Sequence, residues 1–205
     1  MQEVLVDAWS RQPQFSADTL ATLHDLNHRF LDLLAEGRPR WSAAQRDPDA
    51  ALARELRRLA APHRAALARC PYALFDLRLD DEAHWRARLA TGSMNRVEDR
   101  APIAEEEGEF ARLALFYAWH VAVSEPESAQ VLLGMHAQTA AALRGVTLNG
   151  LTGLAAAGAA ALAPRFFARR TFWSALVSAA ARGDAHALRR VQLFGLQLSA
   201  AVRLG

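Results

Sequence analysis

Three side chains near the start of this chain have types and spacing that could bind a metal ion. His24 and His28 are four residues apart, and Asp32 follows after four more. In an α-helix this spacing places all three on one face, and imidazole and carboxylate groups are common zinc ligands. A metal site needs three or four convergent ligands, so a structural or surface position is the competing interpretation. No other cofactor is predicted.

Two further residues could be reactive. His120 lies in the most apolar stretch, residues 113–123, next to Trp119. We expect it to be buried, where it would be a general base, a cofactor ligand or, as we favour, a hydrogen-bond donor inside the core. Cys70 has no second cysteine, so an intramolecular disulfide is excluded and a reducing compartment is expected.

Charge is unevenly distributed along the chain. Residues 98–127 carry eight carboxylates against Arg100 and Arg112, whereas residues 128–205 carry eight arginines against Asp184 alone. The basic third could bind nucleic acid, an acidic partner or the acidic segment of its own chain. The arginines that we consider for partner binding lie within two residues of an aromatic residue or a leucine, and they are Arg165, Arg169, Arg170, Arg189 and Arg190.

The composition predicts helices to position these residues. The chain has 205 residues, about 45 of them alanine, with a single isoleucine, Ile103. It contains no lysine, because all 24 basic positions are arginine. Alanine, leucine and arginine favour helices, whereas β-branched residues favour strands. The lack of lysine excludes Schiff-base, pyridoxal-phosphate and P-loop chemistry. The alanine and arginine excess is typical of a GC-rich bacterial genome.

We therefore predict an all-α fold, with eight or nine helices in an orthogonal bundle or a short solenoid-like array. The polar stretch at 92–101 divides the chain into two helical halves, residues 1–97 and 98–205, which together form one compact domain. The clearest helix spans residues 17–36, with Ser16 as its N-cap and Gly37 as its stop. Near the C-terminus, Gly183 ends one helix and Asp184 caps the last.

Three segments are harder to assign. Residues 72–79 alternate like a strand but have no evident partner, so we predict a helix or an extended linker. Ser124 and Glu127 form a capping-box pattern before a helix that continues to Gly145. Residues 145–164 carry no charge, yet they are mostly alanine and glycine. We therefore predict a buried small-residue helix rather than a membrane span.

Surplus apolar surface suggests the function. Residues 113–123 are apolar on every face, and Leu193 and Leu196 lie off the apolar stripe formed by Leu188, Val191, Phe194, Leu198 and Val202. Such faces bind another helix, from a protein partner or a second copy. We predict a non-enzymatic cytoplasmic interaction protein, namely an adaptor, chaperone or regulatory subunit. A metal-dependent helical enzyme and a nucleic-acid-binding protein are the alternatives.

Overall fold

The all-α prediction is confirmed. The computed structural model describes residues 16–37, 46–90 and 105–201. This part of the chain forms ten helices, rather than eight or nine, and one very short sheet. The helices are α1 (Ala17–Glu36), α2 (Arg46–Arg58), α3 (Ala61–Ala68), α4 (Glu82–Ala90), α5 (Glu105–Ser124), α6 (Pro126–Leu133), α7 (Ala137–Arg144), α8 (Leu148–Ala161), α9 (Arg170–Ala181) and α10 (Ala185–Ala201).

An additional helix arises at Gly134, where the predicted helix from Pro126 to Gly145 is broken. Gly134 has a φ of 66° and ends α6 in the left-handed conformation. The side chain of His136 then caps α7 by accepting a hydrogen bond from the Gln138 N–H. Glycine adopts a positive φ at little cost, so it ends a helix readily.

Side-chain caps fix several helix ends. Ser16 Oγ accepts from the Thr19 N–H at 3.0 Å, and Asp184 Oδ1 accepts from the Ala187 N–H at 2.9 Å, as predicted. The predicted capping box at Ser124 is wrong. Ser124 is the last residue of α5, and its hydroxyl donates to the His120 carbonyl inside the same helix.

The strand-like stretch at 72–79 does have a partner. β1 (Phe75–Asp76) pairs antiparallel with β2 (Ala163–Pro164), and Phe75 lies opposite Pro164. The segment is therefore neither a helix nor an unpaired linker. Its partner lies far along the sequence, and local patterns do not reveal such a pairing.

A buried junction holds this non-helical segment in place. The side chain of Asn27, which is fully buried on α1, donates to the carbonyls of Ala68 and Tyr72 and accepts from the Leu74 N–H. The Leu74 carbonyl in turn accepts from the Arg165 N–H at 2.8 Å. We call this set of contacts the junction, which also includes a bond from the Ala73 N–H to the Leu132 carbonyl.

The uncharged stretch at 145–164 contains α8, which is only 14 residues long. No helix among the described residues is long and apolar enough to cross a membrane. A Cβ added at Gly158 would lie 3.9 Å from Ala111 Cβ on α5. This close approach of α5 and α8 is the small-residue packing that the sequence predicts. The helix is buried on one side only, however, because Leu148, Thr152 and Ala156 are exposed.

Aromatic rings join the two predicted halves of the chain. Phe110 on α5 lies 5.6 Å from Phe30 on α1 and 5.2 Å from Phe75, measured between ring centroids. All three rings are buried. The predicted boundary at 97/98 itself lies outside the described residues, so the division stays a prediction.

Candidate functional site

The predicted metal ligands lie on α1 without forming a site. His24 is half-buried, His28 is exposed, and Asp32 Oδ1 accepts from an Arg64 guanidinium nitrogen at 2.8 Å. Burial, aided by the nearby Arg69 guanidinium, lowers the pKa of His24. In the described part of the chain, no three His, Cys, Asp or Glu side chains lie together as metal ligands would. The metal site therefore stays a prediction without structural support.

The expectation that His120 is buried is wrong. Its side chain is exposed and borders a cleft between α1 and α5. The buried side of the apolar stretch mixes small and large residues, namely Ala114, Leu115, Tyr117, Ala118, Val121 and Ala122. Four other apolar side chains remain exposed or half-buried, namely Leu113, Phe116, Trp119 and Val123. An all-apolar sequence does not show which side of a helix its neighbours cover.

Arg165 is buried and so cannot belong to a partner-binding surface, which corrects the prediction. Its guanidinium donates to the Leu132 carbonyl and to Ser199 Oγ, each at 3.0 Å, and lies 5.0 Å from the centroid of the Phe166 ring. Only 7% of the residue is exposed. Arg165 therefore ties β2 to α6 and α10.

The other predicted partner-binding residues divide into three groups. Arg169, Arg189, Arg190 and Leu193 are exposed. Leu196 is half-buried against the core, so it is not the free surface residue that we predicted. The side chain of Arg170 lies outside the described residues.

Sequence reasoning did not identify the groove between α1 and α5. It is a cleft of about 650 Å³, with a floor of apolar and aromatic side chains. Leu113 is 36% exposed, and Phe116 and Trp119 are half-buried. Trp119 is fixed in place because its Nε1 donates to the Val146 carbonyl at 3.1 Å. The groove thus offers a preformed apolar surface to a ligand.

One end of the groove is closed by hydroxyl groups and a carboxylate. Ser16 Oγ donates to Thr19 Oγ1 at 2.7 Å, and Thr19 Oγ1 donates to Glu125 Oε1 at 2.8 Å. Tyr117 Oη also donates to the Thr19 carbonyl. Burial opposes ionisation of Glu125, but hydrogen bonds from the Ser128 and Thr19 side chains and from the Ser16 backbone N–H outweigh it and lower the pKa of Glu125. The carboxylate therefore stays charged at neutral pH.

The rim of the groove is acidic. Asp18, Asp25 and Glu125 line it against a single arginine, Arg29. A second cleft of about 280 Å³ shares Arg29 and continues along the same two helices. Its walls carry four more carboxylates, from Asp32, Glu36, Glu106 and Glu109. A cationic ligand would therefore be attracted along the whole seam between α1 and α5.

A second exposed surface lies on α10, and we call it the basic face. Leu193 is 52% exposed and Phe194 is 44% exposed, and both lie beside the exposed Arg189 and Arg190. We predicted that Phe194 would face the core. Instead, Phe194 is exposed, whereas Leu188, Val191 and Leu198 of the predicted stripe do pack against the core. Gly195 and Ser199 complete the inward side of α10, and Ser199 is only 1% exposed.

Two contacts of α10 explain why Phe194 faces solvent. Ser199 must reach Arg165, and a Cβ at Gly195 would overlap the hydroxyl of Tyr72. Only a helix side without bulk fits there, so the larger Phe194 is turned toward solvent.

Comparisons with known proteins give no assignment. No protein-family model, no curated protein and no solved structure matches this chain. Function must therefore be argued from the groove and the basic face themselves.

Proposed function

We propose that this chain is a non-enzymatic interaction protein whose groove binds a basic, amphipathic helix. The observation that supports this proposal is the combination of an apolar floor with an acidic rim in one cleft between two helices. An amphipathic helix binds such a groove through its apolar face, and its basic residues then meet the rim. An adaptor, a chaperone or a regulatory subunit would use the groove in this way, and we expect it to act in the cytoplasm.

The dimensions of the groove suit a short helix. From Asp18 to Arg29, α1 rises about 16 Å, and α5 rises by the same amount from Leu113 to Ser124. A helix of three turns would therefore lie along the whole cleft. The groove can admit this helix without large movements, since Leu113, Phe116 and Trp119 are already exposed or half-buried along it.

The two alternatives have weaker support. The metal-dependent enzyme would need His24, His28 and Asp32 together, but Asp32 already pairs with Arg64. A nucleic-acid-binding surface could not include Arg165, which is buried in the core. Of the other arginines considered for it, Arg169, Arg189 and Arg190 are exposed. Neither alternative accounts for the groove.

Binding of a designed peptide tests the proposal. A fluorescein-labelled leucine–lysine helix is titrated with the protein, and the same peptide with glutamate in place of lysine is the control. We expect the basic peptide to bind and the acidic peptide to fail. Leu113→Asp should reduce the affinity for the basic peptide at least about tenfold, because it places a charge on the apolar floor.

Val123→Asp is the matched control variant. Val123 is 48% exposed on the same helix but does not line the groove. We expect it to bind as the unmodified protein does. Equal binding of both peptides, or equal loss in both variants, would contradict the proposal.

A further inference from the structure

The exposed surfaces of this chain fit one another in chemistry. The groove is apolar at its floor and acidic at its rim, whereas the basic face of α10 carries Leu193 and Phe194 beside Arg189 and Arg190. In the described part of the chain, Arg189, Asp18 and Asp25 form no ion pair. Arg190 forms none either, although it lies near enough to Asp184 to lower the pKa of that carboxyl. The two surfaces therefore do not satisfy each other within one molecule.

Their lengths also agree. The exposed positions of α10 extend from Ala185 to Gln197, a rise of about 18 Å. This is close to the length of the groove between Asp18 and Arg29. Arg189, Arg190, Leu193 and Phe194 are spaced three and four residues apart, so they lie on one side of the helix.

We propose that the occupant of the groove is α10 of a second copy of this chain. Leu193 and Phe194 of one copy lie on the apolar floor, and Arg189 and Arg190 meet the acidic rim of the other. This inference rests on the proposed function and names its partner.

Charge decides how the copies are arranged. A two-fold contact through α10 would bring the arginines of one copy against those of the other, and a two-fold contact through the groove would bring carboxylates together. Like charges facing each other oppose association. The contact is therefore head-to-tail, with the groove of one copy against α10 of another. It forms a reciprocal dimer if each α10 can reach the groove of the same partner, and otherwise a larger ring or a chain.

The oligomeric state of the full chain tests this inference. Sedimentation velocity is measured at protein concentrations up to about 200 μM, since a contact of this length is at the weak end of specific interfaces. We expect concentration-dependent assembly that weakens between about 50 and about 500 mM salt. A chain that stays monomeric at every concentration would overturn the inference.

Charge-reversed variants locate the contact. One variant carries Thr22→Arg and Asp25→Arg in the groove, and the other carries Arg189→Glu and Arg190→Glu on the basic face. All four positions are exposed, so both variants are expected to keep the fold. Each should raise the dissociation constant of self-association at least about tenfold.

Mixing the two variants gives the decisive readout. Each variant retains the surface that the other has lost, and the two reversed surfaces are again opposite in charge. Assembly should therefore return in the mixture. Assembly that survives in the groove variant alone, or that does not return on mixing, would overturn a head-to-tail contact.

The control changes the same amount of charge elsewhere. The control variant carries Ala50→Arg and Glu55→Arg at exposed positions of α2, and it raises the net charge by the same amount as the groove variant. We expect its assembly to match that of the unmodified chain. Loss of assembly in this control would overturn the assignment of the contact to the groove.

The two proposals fail in different ways. If the chain is monomeric but its groove still binds the designed basic peptide, the partner is another protein. Only the inference that α10 occupies the groove is then contradicted. If the chain assembles only through other surfaces and the peptide does not bind, the proposed function is contradicted as well.

Discussion

Replacing Asn27 with aspartate should remove much of the stability of this fold without changing its shape. The Asn27 amide nitrogen lies 3.2, 3.4 and 3.0 Å from the carbonyl oxygens of Ala68, Cys70 and Tyr72. Its oxygen accepts from the Leu74 N–H at 2.8 Å. Three acceptors and one donor thus fix the orientation of the amide. Aspartate keeps the bond to Leu74 but turns an oxygen toward the three carbonyls.

The expected cost follows from these contacts. Each net hydrogen bond stabilises a fold by about 1 kcal/mol, and a buried group left unsatisfied costs about 1–3 kcal/mol. Two good bonds and one long bond are lost at Asn27, so Asn27→Asp should lower the free energy of unfolding by about 3–5 kcal/mol at pH 7. Typical domains are stable by about 5–15 kcal/mol in total. The variant should therefore be close to unfolding.

The cost should depend on pH. A buried aspartate facing carbonyl oxygens has a folded-state pKa above its unfolded value of about 3.9. The folded variant then binds more protons than the unfolded chain, so its stability falls as pH rises. At about pH 4, a protonated carboxyl can donate one of the lost bonds. The difference from the unmodified protein should thus be smaller at pH 4 than at pH 7.

Urea denaturation at both pH values, followed by circular dichroism, measures this difference. Asn149→Asp is the control, because Asn149 is exposed in the first turn of α8, where a negative charge is favourable. The control should stay within about 0.5 kcal/mol of the unmodified protein. An Asn27→Asp variant equally stable at pH 7, or a loss of stability that does not change with pH, would refute the reasoning.

Three further predictions concern other sites. Gly134→Ala should lower the free energy of unfolding in urea by at least about 2 kcal/mol, because φ is positive there and the new Cβ would overlap Arg165. Gly145→Ala is the control, and it should be neutral or slightly stabilising because Gly145 has an ordinary φ. Burial raises the pKa of Cys70 to about 12, so its thiol should react with Ellman's reagent only after unfolding; rapid reaction in the native protein would contradict this. The cap hydrogen bond at Asp184 lowers the pKa of that carboxyl. Asp184→Ala should therefore lower the stability at pH 7, and this loss should shrink below about pH 4, where the carboxylate is protonated; a loss that does not depend on pH would exclude this cause.

The sequence predicts the helices of this fold better than its long-range contacts. Helix ends at Ser16, Gly37 and Asp184 follow from local cap chemistry, and the structure confirms them. The break at Gly134 was missed because a single glycine is tolerated inside a helical pattern. Its role depends on its left-handed conformation and on the guanidinium of Arg165 beside it.

The groove and the basic face depend on which sides of α5 and α10 face the core, and no local sequence pattern determines this. The apolar stretch in α5 predicts surplus surface but not which side is covered. In α10, the apolar stripe predicts burial of Phe194. The fit of Tyr72 against Gly195 and the bond between Arg165 and Ser199 reverse that outcome. Both contacts join residues more than 30 positions apart, so periodicity cannot reveal them.

The junction has a consequence for how this molecule opens. Loop amides usually exchange their hydrogens with solvent quickly, since small local fluctuations expose them. Here the N–H groups of Ala73, Leu74 and Arg165 lie outside the helices, yet each bonds to a distant segment, and the bonds interlock. None of these amides can be exposed until α1, α6 and β2 separate. These loop hydrogens should therefore exchange at the slow rate of global unfolding, later than hydrogens at the frayed ends of the helices.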